Sequence, residues 1–262
     1  MPLSIFDLFK IGIGPSSSHT VGPMRAARRF ARELESSGCL ELTTELRVDL
    51  YGSLGLTGKG HASDRAVLLG LEDERPEEVD TDAVEGRIAA MAESGVVRLL
   101  GRHPLPFRRE DIVFHRRETL PGHPNGMCYV AVAESGQPLL ERTYYSIGGG
   151  FVVDEDAVAG DRLVEDDSTL PFAFSTGEEL LAACQRTGLR VSELMLENES
   201  SWRSREEVRA GLLGIWGVME GSVQRGCEAR GELPGKLQIP RRARALRDRL
   251  MRDDDAGGDP LV

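Results

Sequence analysis

Apolar residues recur at helical spacing from residue 24 onward, with arginines between them. The apolar positions define one face of a helix: Met24, Ala27, Phe30, Ala31 and Leu34. Pro23 suits the first helical turn, because its missing N–H group is not needed there. Gly38 supplies a stop signal at the other end. The pattern therefore predicts an amphipathic helix between Pro23 and Gly38.

A second pattern, the alternation of apolar and polar residues, predicts a half-buried strand at residues 46–50. Residues 96–100 and 112–115 are also interpreted as strands. Two longer strands, 127–133 and 139–147, flank a short Ser-Gly-Gln connection, which favours a β-hairpin. These segments together predict a mixed or antiparallel sheet.

Helical patterns separate the first strands. A helix is expected from Ser63 or Asp64, either of which could cap it, to Leu71. A second helix is expected over residues 77–94, with acidic residues in its first turn. The sequence Pro104-Leu105-Pro106 is expected to break the chain. The sheet is therefore predicted to have helices packed beside it.

The pattern changes after residue 153. Acidic residues dominate as far as residue 167, and the sequence is helical in character from Ser175 onward. Two capping boxes mark helix starts, Thr176 with Glu179 and Ser204 with Glu207. A long apolar stripe follows the second box: Val208, Leu212, Ile215, Met219 and Val223. The stripe exceeds what the helical segment can cover, so another chain or missing sequence is expected to bury it.

These elements predict three regions. Residues 1–160 are expected to form an α+β domain with a mixed or antiparallel sheet and flanking helices. Residues 161–175 are expected to be a linker, and residues 176–262 an all-helical second domain that is incomplete. The final stretch, 253–262, is acidic and contains glycine, so we expect it to be disordered.

Composition narrows the class of protein. The 262 residues carry a net charge of −11, which argues against a nucleic-acid partner. No apolar run approaches membrane-spanning length, and residues 1–10 lack the features of a signal peptide, so we expect a cytoplasmic protein without a membrane partner. No metal site is predicted, because the cysteines lack the spacing of metal ligands: Cys39, Cys128, Cys184 and Cys227.

Polar chemistry is concentrated directly ahead of the first helix. Four hydroxyls and one imidazole come from Ser16, Ser17, Ser18, His19 and Thr20. A helix N-terminus offers free backbone N–H groups and a favourable dipole, so a carboxylate or phosphate is the expected guest. A plain N-cap is the alternative, although one serine would satisfy it.

Residues 52–61 form a glycine-rich stretch between a strand and a helix, interpreted as a flexible loop that presents Lys59 and His61. The stretch does not match the P-loop pattern, because Gly60 stands where Ser or Thr should follow the lysine. An incidental histidine in a solvated loop is an equally good interpretation of this stretch.

Two more polar loops occur later in the chain. His123 and Asn125 lie in a turn rich in Pro and Gly, and a turn role alone is the simpler interpretation. Ser146 precedes a glycine triplet that begins at Gly148 and lets the backbone approach a ligand closely. We expect the four polar segments to converge at one edge of the sheet, as a small-anion site with acid–base residues.

Several motifs closely resemble the iron–sulfur-dependent L-serine dehydratases. Four of them occur in the order of that family: Gly14-Pro15-Ser16-Ser17-Ser18-His19-Thr20-Val21-Gly22-Pro23-Met24, Thr57-Gly58-Lys59-Gly60-His61, His123-Pro124-Asn125-Gly126 and Tyr144-Tyr145-Ser146-Ile147-Gly148-Gly149-Gly150-Phe151. The helical part resembles the same family through Leu196-Glu197-Asn198-Glu199 and Leu233-Pro234-Gly235. The resemblance covers nearly the whole chain, up to about residue 245.

The resemblance implies a lyase of amino-acid degradation that converts L-serine to pyruvate and ammonia. In this family a [4Fe–4S] cluster acts as a Lewis acid on the substrate, and a base removes the α-proton. His61 is the first candidate for general acid–base catalysis, with Lys59, His19 and His123 as further catalytic candidates. The resemblance assigns substrate contacts to seven residues: Ser16, Ser17, Ser18, Thr20, Asn125, Ser146 and Gly148.

The chain departs from the family at its cysteines. The three cluster ligands of the family lie beyond the helical segment, and the cysteines here lack their close spacing. We therefore expect the cluster ligands outside this chain, in a missing catalytic half or a complementary subunit. The isolated chain is expected to be a truncated or split enzyme with little or no activity.

Other functions remain open from the sequence. A regulatory serine-binding module without chemistry of its own would use the same residues 16–20, here called the Ser/His segment. A cysteine-bearing catalytic half would distinguish the dehydratase from the regulatory module. A metallohydrolase using His19, His61 and His123 is less favoured, because no His-Glu-x-x-His motif accompanies them. A homodimer is also consistent with the apolar helical stripe.

Overall fold

The computed structural model describes residues 3–155, 168–233 and 239–253. Two compact units make up these residues: one contains residues 10–155, and the other combines residues 3–9 with the described residues from 168 onward. The predicted linker lies outside the described residues over 161–167, as does the predicted disordered tail over 254–262.

A mixed five-stranded sheet organises the first unit. Residues 10–155, the described part of this unit, contribute seven strands in order: β1 Thr43–Tyr51, β2 Val96–Leu99, β3 His103–Pro106, β4 Ile112–His115, β5 Gly126–Ala133, β6 Pro138–Gly148 and β7 Phe151–Asp154. The sheet order is β4-β1-β5-β6-β7, while β2 and β3 form a separate two-stranded ribbon. Strands β1 and β4 pair in parallel, and the other described pairs of the large sheet are antiparallel. The α+β class and the predicted hairpin of β5 and β6 are confirmed.

Helices of this unit flank the sheet. The elements are α2 Gly22–Ser36, α3 Gly52–Thr57, α4 Ser63–Leu71 and α5 Val84–Ser94. A π-helical turn at Ser17–Val21 leads directly into α2, and a 3₁₀ turn at Gly58–His61 follows α3. The apolar face of α2 is buried as its pattern predicts. Phe30 of α2 stacks on Tyr129 of β5 with ring centroids 5.3 Å apart.

The second unit is helical. A short helix, α1 Ile5–Leu8, belongs to it, together with α6 Gly177–Thr187, α7 Val191–Glu199, α8 Arg205–Glu228 and α9 Ala243–Asp253. Both predicted capping boxes form, at Thr176 and at Ser204. Among the described residues, no helix is long and apolar enough to cross a membrane.

Several local expectations were wrong. The glycine-rich stretch 52–61 is helical rather than a loop, because packing against the sheet overrides glycine's low helix propensity: a Cβ on Gly55 would lie 2.2 Å from the carbonyl oxygen of His115. Neither Ser63 nor Asp64 caps α4, since the N-cap is Ala62 in a left-handed conformation.

Two boundaries also differ from expectation. Residues 77–83 are not part of a helix; the Asp80 carboxylate accepts a hydrogen bond from the backbone N–H of Asp82, which competes with helix formation. Residues 104–106 belong to β3, which pairs with β2, whereas the sequence predicted a break in the chain there. Proline is tolerated there because a two-stranded ribbon consists only of edge strands.

Candidate active site

The Ser/His segment is itself helical. Its π-helical turn begins after Ser16, whose side chain accepts a hydrogen bond from the backbone N–H of His19 at 3.2 Å. Ser16 therefore acts as the N-cap that the simpler interpretation of the segment required. Its Oγ also lies 3.3 Å from Ser18 Oγ, so the cap hydroxyl is tied to a second hydroxyl of the same segment.

His19 is held through both ring nitrogens. Its Nδ1 lies 2.9 Å from Ser18 Oγ, and its Nε2 lies 3.1 Å from Ser53 Oγ in the first turn of α3. Burial lowers the pKa of His19 below its ordinary value, and the nearby imidazole of His61 lowers it further. The ring is therefore fixed in place and favours its neutral form.

His61 lies against His19, with ring centroids 4.8 Å apart. Its Nδ1 is 3.0 Å from the carbonyl oxygen of Thr57. A carbonyl can only accept, so Nδ1 carries the hydrogen, and in the neutral ring Nε2 holds a lone pair. That lone pair has no protein partner among the described residues, so the ring can accept a proton from a ligand.

Two hydroxyls fix the backbone around the histidine pair. Thr20 Oγ1 donates to the carbonyl oxygen of His61 at 3.3 Å. Ser63 Oγ donates to the carbonyl oxygen of His19 at 2.5 Å. Each histidine therefore lies on a segment that donates a hydroxyl hydrogen bond to the other segment, although the two segments are far apart in sequence.

The His123 turn joins the same group through α3. The backbone N–H of Ser53 donates to the carbonyl oxygen of Pro124 at 2.8 Å. His123 Nδ1 accepts from the backbone N–H of Asn125 at 3.1 Å, so the neutral ring carries its hydrogen on Nε2. His123 thus presents a donor where His61 presents an acceptor.

Asn125 and Ser146 form a reciprocal pair beside this turn. The backbone N–H of Ser146 donates to the carbonyl oxygen of Asn125, and Asn125 Nδ2 donates to the carbonyl oxygen of Ser146, both at 3.0 Å. Ser146 also abuts the start of α2: a Cβ on Gly22 would lie 2.0 Å from Ser146 Oγ. The pair therefore lies next to the Ser/His segment.

The glycine triplet closes the strand that carries Ser146. Gly148, Gly149 and Gly150 have φ angles of 102°, 58° and 78°, which favour glycine. Arg25 of α2 donates to the carbonyl oxygen of Gly150 at 2.8 Å. The triplet is thus a tight turn between β6 and β7 that is tied back to the helix behind the Ser/His segment.

Two candidate residues are not brought into this group by their side chains. Lys59 is exposed, and its Nζ lies over the ring of Phe114, 5.3 Å from the centroid. Ser17 is exposed, and its hydroxyl has no protein partner within the described part of the chain. Gly148 is part of the glycine turn that follows Ser146. The other candidates are connected by the contacts above.

The sequence interpretation missed Ser53 and Ser63 as parts of the site. Each contributes one hydroxyl that contacts His19, Ser53 at the ring and Ser63 at the backbone. Both hydroxyls stand in the first turn of a helix, Ser53 within the glycine-rich stretch and Ser63 just after it. That position was the available signal, but it is equally typical of ordinary capping residues.

An iron–sulfur cluster does not fit the residues present. Within the described ranges, no group of three or more His, Cys, Asp or Glu side chains could hold a metal ion. The four cysteines are free and lie on separate elements. Burial raises the pKa of Cys128 to about 11, which disfavours the thiolate that iron needs.

The fold and site define an α+β protein with a histidine pair beside a hydroxyl-rich helix start. Residues 4–157 match the family described as serine dehydratase beta chain, and the chain belongs to this family. It is 52% identical to an L-serine dehydratase of Streptomyces coelicolor, over 97% of this chain and 56% of that protein. It is 46% identical to L-serine dehydratase TdcG of Escherichia coli, over 99% of this chain and 57% of the relative.

The similarity extends to more distant relatives. An L-serine dehydratase of Helicobacter pylori is 36% identical over 99% of this chain and 56% of its own length. The match therefore includes the helical unit as well as the α+β unit. The chain spans just over half the length of the curated relatives that it matches.

Proposed function

We propose that this chain provides the substrate-side residues of an L-serine dehydratase, which converts L-serine to pyruvate and ammonia. The observation that carries the proposal is the histidine pair: His19 is held by two hydroxyls, and beside it the Nε2 of His61 has no partner within the part of the chain that the structure describes. The names of the relatives support the choice of substrate.

In this proposal the Ser/His segment binds the carboxylate of serine. Ser16 and Ser18 supply hydroxyls. His19 and Thr20 hold the segment in place, since both ring nitrogens of His19 contact hydroxyls and Thr20 Oγ1 donates to the carbonyl oxygen of His61. The lowered pKa of His19 keeps the empty site from carrying a buried positive charge. A bound carboxylate would favour the protonated ring, so binding is expected to be accompanied by proton uptake near neutral pH.

His61 is proposed as the base that removes the α-proton of serine. Its hydrogen bond from Nδ1 to Thr57 fixes the ring so that Nε2 is the reactive atom. His123, with its hydrogen on Nε2, is proposed as the proton donor that complements this base. Loss of the α-proton and of the β-hydroxyl as water gives aminoacrylate, which tautomerises and hydrolyses to pyruvate and ammonia.

The resemblance also implies a [4Fe–4S] cluster. Because the cysteines described above do not form a ligand set, we propose that the cluster ligands lie outside this chain. The proposed contribution of the chain is therefore limited to binding the carboxylate and transferring protons.

Calorimetric titration of L-serine into the purified chain tests this proposal. We expect stereoselective binding, with D-serine at least about tenfold weaker, and loss of most affinity in His19→Asn. His103→Asn is the matched control, since that ring bonds the carbonyl oxygen of Thr43, away from the site. Equal binding of both enantiomers, or no effect of His19→Asn, would contradict the proposal.

A regulatory serine-binding module is the second candidate. One observation favours it: all the hydroxyl and histidine contacts of the site lie within residues 10–155, a unit in which no cluster ligand set is described. Under this alternative His61→Asn would leave the biological role intact. Joining the chain to the remaining part of a relative and assaying pyruvate formation separates the two, because only a dehydratase would lose turnover in His61→Asn.

A further inference from the structure

Two buried oxygen atoms in the reciprocal pair of Asn125 and Ser146 have no hydrogen-bond partner among the described residues: Asn125 Oδ1 and Ser146 Oγ. Asn125 is 9% exposed and Ser146 is 0% exposed. Leaving a buried polar group unpaired costs free energy, about 1–3 kcal/mol for each group. Native proteins pair such groups with protein atoms, ordered water or a ligand, so these two atoms are available to a ligand.

The orientation of Asn125 is fixed by its neighbours. Its Nδ2 must be the atom that faces the carbonyl oxygen of Ser146, because a carbonyl cannot donate. Oδ1 is therefore a pure acceptor that is turned away from that bond. Whatever pairs with it must donate a hydrogen.

Ser146 Oγ is the second oxygen without a described partner, and it lies at the start of α2. It lies against Gly22, where even a Cβ would be 2.0 Å away. Gly22 directly follows the π-helical turn Ser17–Val21, so this hydroxyl lies next to the segment to which the proposed function assigns the carboxylate. Asn125 is held beside Ser146 by the reciprocal pair.

We propose that Asn125 Oδ1 and Ser146 Oγ accept hydrogen bonds from the α-ammonium group of the substrate and so select α-amino acids over 2-hydroxy acids. An ammonium group has three donors and no acceptor, which matches two acceptors without partners. A hydroxyl in the same place is uncharged and carries a single hydrogen, so it can donate to only one of the two oxygens and can only accept from the Ser146 hydroxyl if it donates to Asn125 Oδ1. This inference rests on the proposed function, because it assumes that the carboxylate binds at the Ser/His segment.

The test compares L-serine with L-glycerate, which keeps the carboxylate and the β-hydroxyl but replaces the ammonium group with a hydroxyl. Titration of both into the unmodified chain near neutral pH requires no variant. We expect L-glycerate to bind at least about tenfold more weakly, since a hydrogen bond to a charged group is the interaction lost.

Ser146→Ala then examines one of the two oxygens. Its hydroxyl has no partner to lose among the residues that the structure describes, so the variant is expected to be at least as stable as the parent chain. We expect its affinity for L-serine to fall about tenfold and its affinity for L-glycerate to fall less, because the hydrogen bond lost with L-glycerate is between neutral groups. Ser135→Ala, in the turn at the far end of the β5–β6 hairpin, is the matched control and should change neither affinity.

The outcomes separate the two proposals. Equal affinity of the parent chain for L-serine and L-glycerate would overturn the ammonium assignment, as would an equal loss of both in Ser146→Ala. If His19→Asn still abolishes L-serine binding in that case, the proposed function stands without it. Absence of L-serine binding to the parent chain would overturn both.

Discussion

His19 and His115 are two histidines of the same unit with opposite electrostatic surroundings. Burial and the neighbouring His61 lower the pKa of His19. His115, on β4, lies 2.6 Å from the carboxylate of Asp49 through Nε2, and this hydrogen bond raises its pKa. The surroundings therefore shift the pKa values of the two rings in opposite directions.

We predict that His19 titrates below the ordinary value of 6.5 and His115 above it. NMR titration of the histidine ring protons, assigned with His19→Asn and His115→Asn, measures both pKa values. Titration of His19 above His115 in the ligand-free chain would contradict the burial described here.

The same shifts fix the sign of the pH dependence of stability. Below about pH 6.5 the unfolded state binds a proton that buried His19 resists, so this residue lowers the free energy of unfolding as the pH falls. His115 has the opposite effect, because its contribution is fully present below about pH 6.5 and is lost as the pH rises through its raised pKa. His19→Asn should therefore reduce the loss of stability in acid.

The sequence indicated most of the residues that the structure brings together at the site, but not how they are connected. Motif chemistry was enough to single out His19 and His61, which lie in contact. Ser53 was missed because its contact with His19 depends on the turn from β1 into α3, where Gly52 has a φ of 57°. Such a contact arises from the fold and leaves no local signal. The catalytic roles of these residues stay predictions.

At the scale of the elements, the approach of α2 to α4 depends on one small residue. A Cβ on Gly70 of α4 would lie 2.1 Å from the carbonyl oxygen of Met24 and 3.0 Å from the Cβ of Ala27. The two helices could not keep this separation with a larger residue. Gly86 of α5 provides the contrast, because a Cβ there would meet nothing within 4 Å.

We predict opposite effects of the same substitution at these two helical positions. Gly70→Ala should lower the free energy of unfolding by about 1–3 kcal/mol, since the helices must separate to admit a methyl group. Gly86→Ala should raise it by up to about 1 kcal/mol, because alanine is the better helix former. Denaturant unfolding of the α+β unit, followed by circular dichroism, measures both. Similar effects of the two changes would contradict the close packing.

Elements whose signals are local were predicted well, and those decided by packing were not. The capping box at Thr176 and the hairpin of β5 and β6 follow from short-range hydrogen bonds and alternation. By contrast, α3 forms from glycine-rich sequence because its Leu54 is fully buried. β3 forms across two prolines because an edge strand tolerates them. In both cases the tertiary environment outweighs the intrinsic preference of the residues.

At the scale of the whole molecule, the N-terminal residues belong with helices that come much later in the chain. Residues 3–9 are part of the helical unit, whereas the residues that follow them begin the α+β unit. The contact is built around Glu199, which is 2% exposed. Its carboxylate accepts from Ser4 Oγ at 2.5 Å, from the backbone N–H of Ile5 at 3.0 Å, and from Arg203 at 2.9 Å.

We predict that Glu199→Gln loosens the N-terminal segment from the helical unit. Replacing one acceptor oxygen by an amide removes hydrogen bonds to a charged group and leaves buried donors unpaired, which should cost about 1–3 kcal/mol. Hydrogen exchange at the amides of residues 5–8 and of α7 should accelerate accordingly, while exchange in β1 and β5 should not change. Glu197→Gln on the same helix removes only the exposed pair with Arg205, so it should alter these rates very little. If both variants behave alike, Glu199 is not what attaches the N-terminal segment, and its burial would then reflect helix packing alone.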